Sequence, residues 1–456
     1  MIDFSNRINL VYLKRDLRLI DHGAIFYAEK AQLPYDLIFI FEPDFLKQAF
    51  FDIRHWQFQY WSLMDLNKQL KKFNREVNLL YGNPVEIFSA IVKKYKLDSV
   101  FSHQEVGADV TFARDRQLRH FFKKNNIVWI EVPFDGIVRG LKNRFEWRDN
   151  FERWLNSPAY SSIPTSEKKF KIQISGFDLP EDLLKRLENP PKDFQKAGET
   201  EAIKVLDSFL SHRHFMYLKN ISKPFESFFS CSRLSAYLAY GNLSVRFVVK
   251  RTKELFNPKG SNRNLDAFLS RLFWRSHFIQ KFETMPAHEF QTVNKAFEPW
   301  PFAVNLDLVE CWAEGETGVD LVDAVMKCLK KTGWINFRMR ALVVSFLCHC
   351  LQQPWQSGAA ILARYFLDFE PGIHFTQMQM QAGVTGYNTI RIYNPEKQLF
   401  DHDPEKIFCS RWLSGRRPKP VVDWKKNLEQ SKKFLWNIKK TDLAKAESEH
   451  LLKLLR

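Results

Sequence analysis

Short apolar runs alternate with helical patterns through the first third of the chain. INLVYL, YDLIFIF, VNLLYG, DSVFSH and IVWIEV are each nearly unbroken in apolar character, as strands buried on both faces of a parallel sheet must be. Between them, FDIRHWQFQYWSLMDLNKQLKKF and PVEIFSAIVKKY space their apolar residues as helices do. This alternation predicts a Rossmann-like α/β domain over 1–134, with helices covering both sheet faces. From about Asp135 to Thr200 the pattern breaks. Pro164, Pro190, Pro191 and the charged SEKKFKIQ predict an interdomain connector over 135–200.

Beyond it the periodicity is helical throughout. EAIKVLDSFLSH, LSVRFVVKRTKELF, NLDAFLSRLFWRSHFIQKF, GVDLVDAVMKCLKKT, WINFRMRALVVSFLCHCL and SGAAILARYFLDF predict an all-α domain over 201–413 without internal repeats. The last stretch, 414–456, is a Lys-rich tail from RRPKP onward that ends in the amphipathic AKAESEHLLKLLR. It reads as a docked terminal helix with a solvated face, with a basic arm for nucleic acid as the alternative.

A chain of 456 residues exceeds one ordinary core, which agrees with two domains. Lys and Arg outnumber Asp and Glu by 68 to 52, a formal charge of +16. Such an excess attracts polyanions, because binding to phosphates releases counterions; a merely solvated basic surface is the other reading. The six cysteines are scattered, and none is spaced as CxxC. Cys348 and Cys350 flank His349 inside an apolar run, so buried thiols are expected rather than a metal site or an iron–sulfur cluster. No run reaches membrane-spanning length, and MIDFSNRINLVYLKR lacks a signal-peptide core. The expectation is a monomeric cytoplasmic protein in a reducing compartment, with no membrane partner.

Three segments concentrate chemistry. CSRLSAYLAYGNLS brings Ser232, Arg233, Ser235, Gly241 and Ser244 to the start of a helical pattern. Hydroxyls and free backbone N–H groups there suit phosphate, although a capping serine looks the same. A second segment carries Trp334, Arg338 and Arg340, and FLDFEPGIHF carries Asp368, Glu370 and His374. An arginine on one helix and an acid on a neighbouring segment can hold a polar ring edge, or form a structural ion pair.

In combination, KRDLRLIDH after the first strand, SRLSAYLAYGNLS, the stretch from Trp312 through AEGETGVDLVDAVMKCLKKTGW, and RIYNPEKQLFDHDPE resemble the photolyase/cryptochrome flavoproteins. The motifs run from about Asn9 to Leu413 in the family's order. The resemblance implies a five-stranded antenna-type α/β domain, able to carry a second chromophore of unknown identity, and a helical domain holding a U-shaped FAD. It implies that Tyr217, Ser232, Arg233, Leu234, Ser235 and Arg275 line the FAD phosphates, with Trp334 close by. Arg340 and Asp368 would pair against the flavin ring, Glu370 would bond the ring's polar edge, and His374 would face flavin N5. Trp274 would lie beside the substrate cavity. The activity implied is light-dependent repair of UV-damaged DNA by a deoxyribodipyrimidine photolyase-type lyase; a cryptochrome-like blue-light receptor without repair is the alternative.

Departures cluster on the substrate side. Arg271 stands where dimer photolyases carry a glutamate, Phe337 where they carry asparagine, and Ala341 where they carry methionine. His374 replaces asparagine, and Met378 and Met380 replace two tryptophans. The resemblance makes Trp355 the middle and Trp300 the outer member of an electron-transfer chain whose proximal position is Met378. Tyr365 or Tyr387 is a possible substitute. His374, Trp274 and Arg271 are the expected catalytic residues. Arg271 either stabilises negative charge developing on the lesion or meets a DNA phosphate.

Overall fold

Five strands, β1 (Arg7–Leu13), β2 (Tyr35–Phe41), β3 (Val77–Tyr81), β4 (Lys96–His103) and β5 (Val128–Val132), pair in parallel in the order β3-β2-β1-β4-β5. The computed structural model describes residues 7–31, 33–141, 146–161, 163–165, 167–415 and 418–455. Arg416 and Arg417, part of the predicted tail, lie outside the described residues, as do residues 1–6 and 142–145.

Successive residues of the central strands feed opposite faces of the sheet, as a period of two requires. Val11, Leu13, Phe39 and Phe41 pack with α1 (Gly23–Lys30) and α2 (Ile53–Leu70) through Ile25, Trp56, Leu63 and Leu66. Leu10, Tyr12, Ile38 and Ile40 pack with α3 (Pro84–Lys94) and α4 (Asp109–Lys124) through Ile87, Ile91, Leu118 and Phe122. The continuous apolar character of β1 and β2 therefore reflects burial on both sides.

The chain forms two compact units that do not follow linear boundaries. The first comprises Met1–Val138, Asp149–Asp207 and Leu234–Phe256; the second comprises Arg139–Arg148, Ser208–Arg233 and Asn257–Arg456. The stretch expected as a connector contains helices Trp147–Asn156 and Glu181–Glu188. Lys169 bridges Tyr35, and Ile172, Leu183 and Leu187 join the first unit's core. Proline-rich punctuation marked the turns of this stretch but concealed its packing.

The second unit is helical. Its elements that matter for chemistry are α5 (Arg263–Thr284), α6 (Asp320–Thr332), α7 (Phe337–Ser345), α8 (Trp355–Tyr365), α9 (Pro371–Gln381), α10 (Trp424–Lys440) and α11 (Asp442–Leu455). WINFRMRALVVSFLCHCL is not one regular helix. Asn336 caps α7 by accepting from Met339 N, and residues Phe346–Cys350 widen into a π-turn. The predicted tail folds as α10 and α11, with Trp424, Leu428, Leu435, Ala444 and Leu451 buried. Among the described residues, no helix is long and apolar enough to cross a membrane.

Candidate functional site

The second unit gathers most of the expected site residues by close helix packing. α5 and α9 meet where α9 carries Gly372; a Cβ there would stand 2.8 Å from the Ile279 Cα. α6 ends at left-handed Gly333, whose carbonyl accepts from Leu367 N at 2.9 Å. That bond holds the segment after α8 against the turn before Trp334, and so sets Asp368 opposite Arg340.

Arg340 and Asp368 form a two-pronged ion pair, Nη1–Oδ1 3.0 Å and Nη2–Oδ2 2.7 Å. The Asp368 side chain is 2% exposed and that of Arg340 30%, so the carboxylate is fixed while the guanidinium keeps an open edge. Arg340 also donates Nε to the Ile335 carbonyl and lies 4.1 Å from the Phe366 ring centre. Parallel charge-assisted bonds of this kind fix orientation as well as charge. A second buried pair, Arg275 Nη2–Glu370 Oε2 at 3.3 Å, joins α5 to the N-cap of α9. Arg275 was expected at the FAD phosphates and Glu370 at the ring's polar edge; here they contact each other.

His374 lies one turn into α9 and donates Nε2–H to the Ala359 carbonyl at 2.8 Å. Burial, outweighing this bond, pushes its imidazole down to about 4, so the ring is neutral at pH 7. It packs among Phe366, Phe369 and Phe375. Arg233 takes a left-handed backbone (φ 61°) and stacks its guanidinium 3.8 Å over Trp334. Ser232 is partly buried, its carbonyl accepting from Arg213. Leu234, buried, and Ser235, exposed at the start of a short helix, belong to the first unit.

A row of arginines and aromatics continues along the same unit. Arg271 hydrogen-bonds the Tyr217 hydroxyl and sits 5.5 Å over Phe337. Arg338 sits 5.2 Å from the Phe337 ring centre and 5.4 Å from that of Tyr393. Phe337 is 43% exposed and Trp274 42%; Trp274 stacks on Phe278. Exposed rings flanked by cations suit stacking against a nucleobase beside phosphates. Arg271 and Trp274 were expected at the site from the sequence, whereas Arg338 and Phe337 were noted there without a role. Their signal was available: both lie in the arginine-rich turn that contains Arg340.

The tryptophans expected to pass electrons are each fixed through the indole N–H. Trp355, buried, donates its indole N–H to Thr292 Oγ1 at 3.2 Å; Trp300 donates to the Gln352 carbonyl and packs on Phe302 and Phe434. Met378 is buried. Tyr387 accepts a hydrogen bond from Lys281 Nζ at 2.8 Å with that ammonium 4.7 Å from its ring, and Lys330 lies 6.0 Å over Tyr365. A cation beside a ring opposes removal of an electron from it.

In the first unit, Asp16, His22 and His103 are the described residues that come close enough to share a metal. His103 Nδ1 lies 2.7 Å and His22 Nε2 3.2 Å from Asp16 Oδ2. The far nitrogens accept backbone N–H groups at the start of α1: His22 Nδ1 from Ile25 at 3.2 Å, His103 Nε2 from Gly23 at 3.3 Å. These bonds select the tautomers whose protons face Asp16, and a metal on those nitrogens would set N–H against N–H. Burial alone would raise the Asp16 carboxyl, but the bonds from His103 and His22 hold it well below the usual range. The carboxyl ends of β2 and β4, beside the point where strand order reverses and α/β proteins bind ligands, carry a second buried network. Arg114 binds Glu42, Glu105 and Asp115 there at 2.7, 2.5 and 2.9 Å.

The second unit's inventory fits a dinucleotide with a polar ring: an anchored carboxylate–guanidinium fork with an open edge, a buried Arg–Glu pair, and a strained arginine over an indole. Residues 268–440 match the family described as FAD binding domain of DNA photolyase, and residues 9–138 match DNA photolyase. The chain is 24% identical over 455 residues to deoxyribodipyrimidine photo-lyase of Alkalihalophilus pseudofirmus, covering 94% of this chain and 93% of that protein. It is 25% identical over 461 residues to cryptochrome DASH of Gloeobacter violaceus, covering 94% and 91%. Its fold superposes on the Synechocystis sp. PCC6803 cryptochrome crystal structure with TM-score 0.81 at 22% identity, over 94% of this chain and 99% of that one. With both sheet domain and FAD-binding domain matched in order, the chain belongs to the photolyase/cryptochrome family of flavoproteins.

Proposed function

We propose that this protein repairs UV-induced pyrimidine lesions in DNA in a light-dependent reaction. When bound, reduced FAD supplies the light-driven electron chemistry; the chain's own residues supply binding, orientation and electrostatics. Arg340, fixed by Asp368, would present its guanidinium edge to the flavin ring. Arg275 and Glu370 would exchange their mutual contact for the cofactor's polar groups. Arg233, Ser232 and Tyr217 would attend the phosphates, and neutral His374 would close the pocket without adding charge. On the substrate side, Trp274 and Phe337 offer rings to an extruded lesion, and Arg271 and Arg338 offer charge to phosphate or to the lesion itself. The observation that carries this reading is the fixed Arg340–Asp368 fork on the same helix start as the exposed Phe337 and the half-buried Arg338 beside it.

The reading is tested by reducing the purified flavoprotein and illuminating it with oligonucleotides bearing cyclobutane or six-four lesions. Lesion loss that needs both light and reduced flavin is expected; no loss with either lesion sinks it. Arg271→Ala should weaken lesion binding about tenfold, or about 1.4 kcal/mol, at unchanged flavin content. A blue-light receptor without repair is the second reading, favoured by Met378 and Met380 in place of tryptophans and by Arg271 in place of the acid. Flavin photochemistry without any lesion binding would select it.

A further inference from the structure

α10 seats itself on the second unit through Trp424, Leu428, Ser431 and Leu435, all buried. This four-three-four spacing turns the opposite face outward. Lys426, Lys433 and Lys440 are exposed on it, and Lys425 and Lys432 are exposed on its flank. The surrounding stretch, 414–440, holds nine Lys and Arg against Asp423 and Glu429, an excess of seven out of the chain's +16. The following helix, α11, nearly balances its charges, with Lys445 and Lys453 against Asp442, Glu447 and Glu449, so the excess belongs to α10 and its approach.

Neighbouring acids neutralise only part of this face. Lys425 pairs with Glu396 at 2.8 Å and Lys432 with Glu429 at 3.8 Å. Among the described residues, no acid lies within ion-pair distance of Lys426, Lys433 or Lys440. These three recur every seven residues, two helical turns, so their ammonium groups line one stripe at intervals of about 10 Å. Trp436 stands on that same stripe, three residues beyond Lys433 and four before Lys440, and is 42% exposed. Lys439 lies 5.8 Å over its ring.

We propose that this stripe is a second nucleic-acid contact, gripping the sugar–phosphate backbone of DNA without reading its sequence. A row of ammonium groups matches an array of evenly repeated negative charges, and it lacks the forked donors that read bases. The half-exposed indole supplies a ring for a sugar or an unstacked base. A membrane-lying helix would need a broad apolar face turned outward, whereas the apolar face of α10 is already buried. The inference goes beyond the repair reaction, since it requires neither light nor a lesion.

The test uses the full-length flavoprotein and undamaged duplex DNA, with affinity measured across a salt series. Replacing Lys426, Lys433 and Lys440 together by Ala should make the slope of log Kobs against log salt shallower by about 2.7, three contacts at about 0.9 each. Trp436→Ala should weaken binding several-fold with the slope unchanged. Both variants should keep their flavin and melting temperature, which separates lost contacts from misfolding. An unchanged slope in the triple variant overturns the proposal. So does a triple variant that loses binding to phosphatidylserine vesicles while its DNA slope is unaltered. Neither result depends on lesion repair, which illumination of damaged oligonucleotides reports separately.

Discussion

Replacing Asp368 by Asn keeps the side chain's size while removing its charge and one of the two acceptors facing Arg340. The native carboxylate takes both prongs of the guanidinium, at 3.0 and 2.7 Å, and is almost wholly buried. Truncating one partner of a fully buried pair costs about 3–5 kcal/mol. Here the cost is smaller, because Arg340 is partly exposed, keeps its bond to Ile335 and keeps its contact with Phe366. Discounting for that access to water leaves about 2–3 kcal/mol. For a unit of this size each kcal/mol moves the melting temperature by about 2–4 °C, so a fall of about 5–10 °C is expected. Flavin-to-protein absorbance of the purified variant should fall with it, because an untethered guanidinium no longer holds its orientation. Thermal melts followed by circular dichroism, run beside Arg340→Met and the double variant, isolate the pair. The coupling should be at least about 1.5 kcal/mol. If Asp368→Asn melts within about 1 °C of the parent and retains a full complement of flavin, the fork holds nothing and the assignment fails.

Acid should destabilise the second unit through buried histidines. Burial pushes His288, His349 and His374 each down to about 4, so they fold neutral. The unfolded chain takes up protons below about pH 6.5, and stability is therefore complete above that pH and lost as pH falls towards 4. The loss amounts to about 2 kcal/mol per histidine by pH 5. Among the described residues neither ring nitrogen of His288 meets a hydrogen-bond partner, so His288→Leu should cost nothing at pH 7 and recover about 2 kcal/mol at pH 5; urea denaturation showing equal acid sensitivity would contradict this. Gly241→Ala should destabilise the first unit by at least about 3 kcal/mol. Its φ is +67° and the new Cβ would stand 2.1 Å from the Arg15 carbonyl oxygen; an unchanged melting temperature would refute that packing.

The helix that carries Arg338 and Arg340 illustrates what pattern alone misses. Its apolar spacing runs on through FLCHCL, but the π-turn at Phe346–Cys350 is held by contacts from elsewhere. Asn427 and Ser431 of α10 donate to the carbonyls of Cys350 and His349 that the widened turn presents. The stretch 135–200 shows the converse. Its prolines announced turns, while the burial of Ile172 beside the sheet and of Leu187 with the α2 side of the core depends on residues far away in sequence.

Local pattern was enough to place the alternating strands and helices of the first third, the helical character of the rest, and the family, because near-neighbour periodicity and ordered motifs are local properties. It also supplied the site's vocabulary: Arg340, Asp368, Glu370, His374, Arg271. Which of these touch is a matter of packing in three dimensions. Arg340 takes Asp368, Arg275 takes Glu370, Arg271 takes Tyr217 and Phe337, and His374 is tied to Ala359, because hydrogen bonds and stacking form across helices whose separation along the chain carries no periodic signal. The same holds for the lysine stripe of α10, visible as a charge run but placed on one outward face only by the burial of Trp424, Leu428 and Leu435.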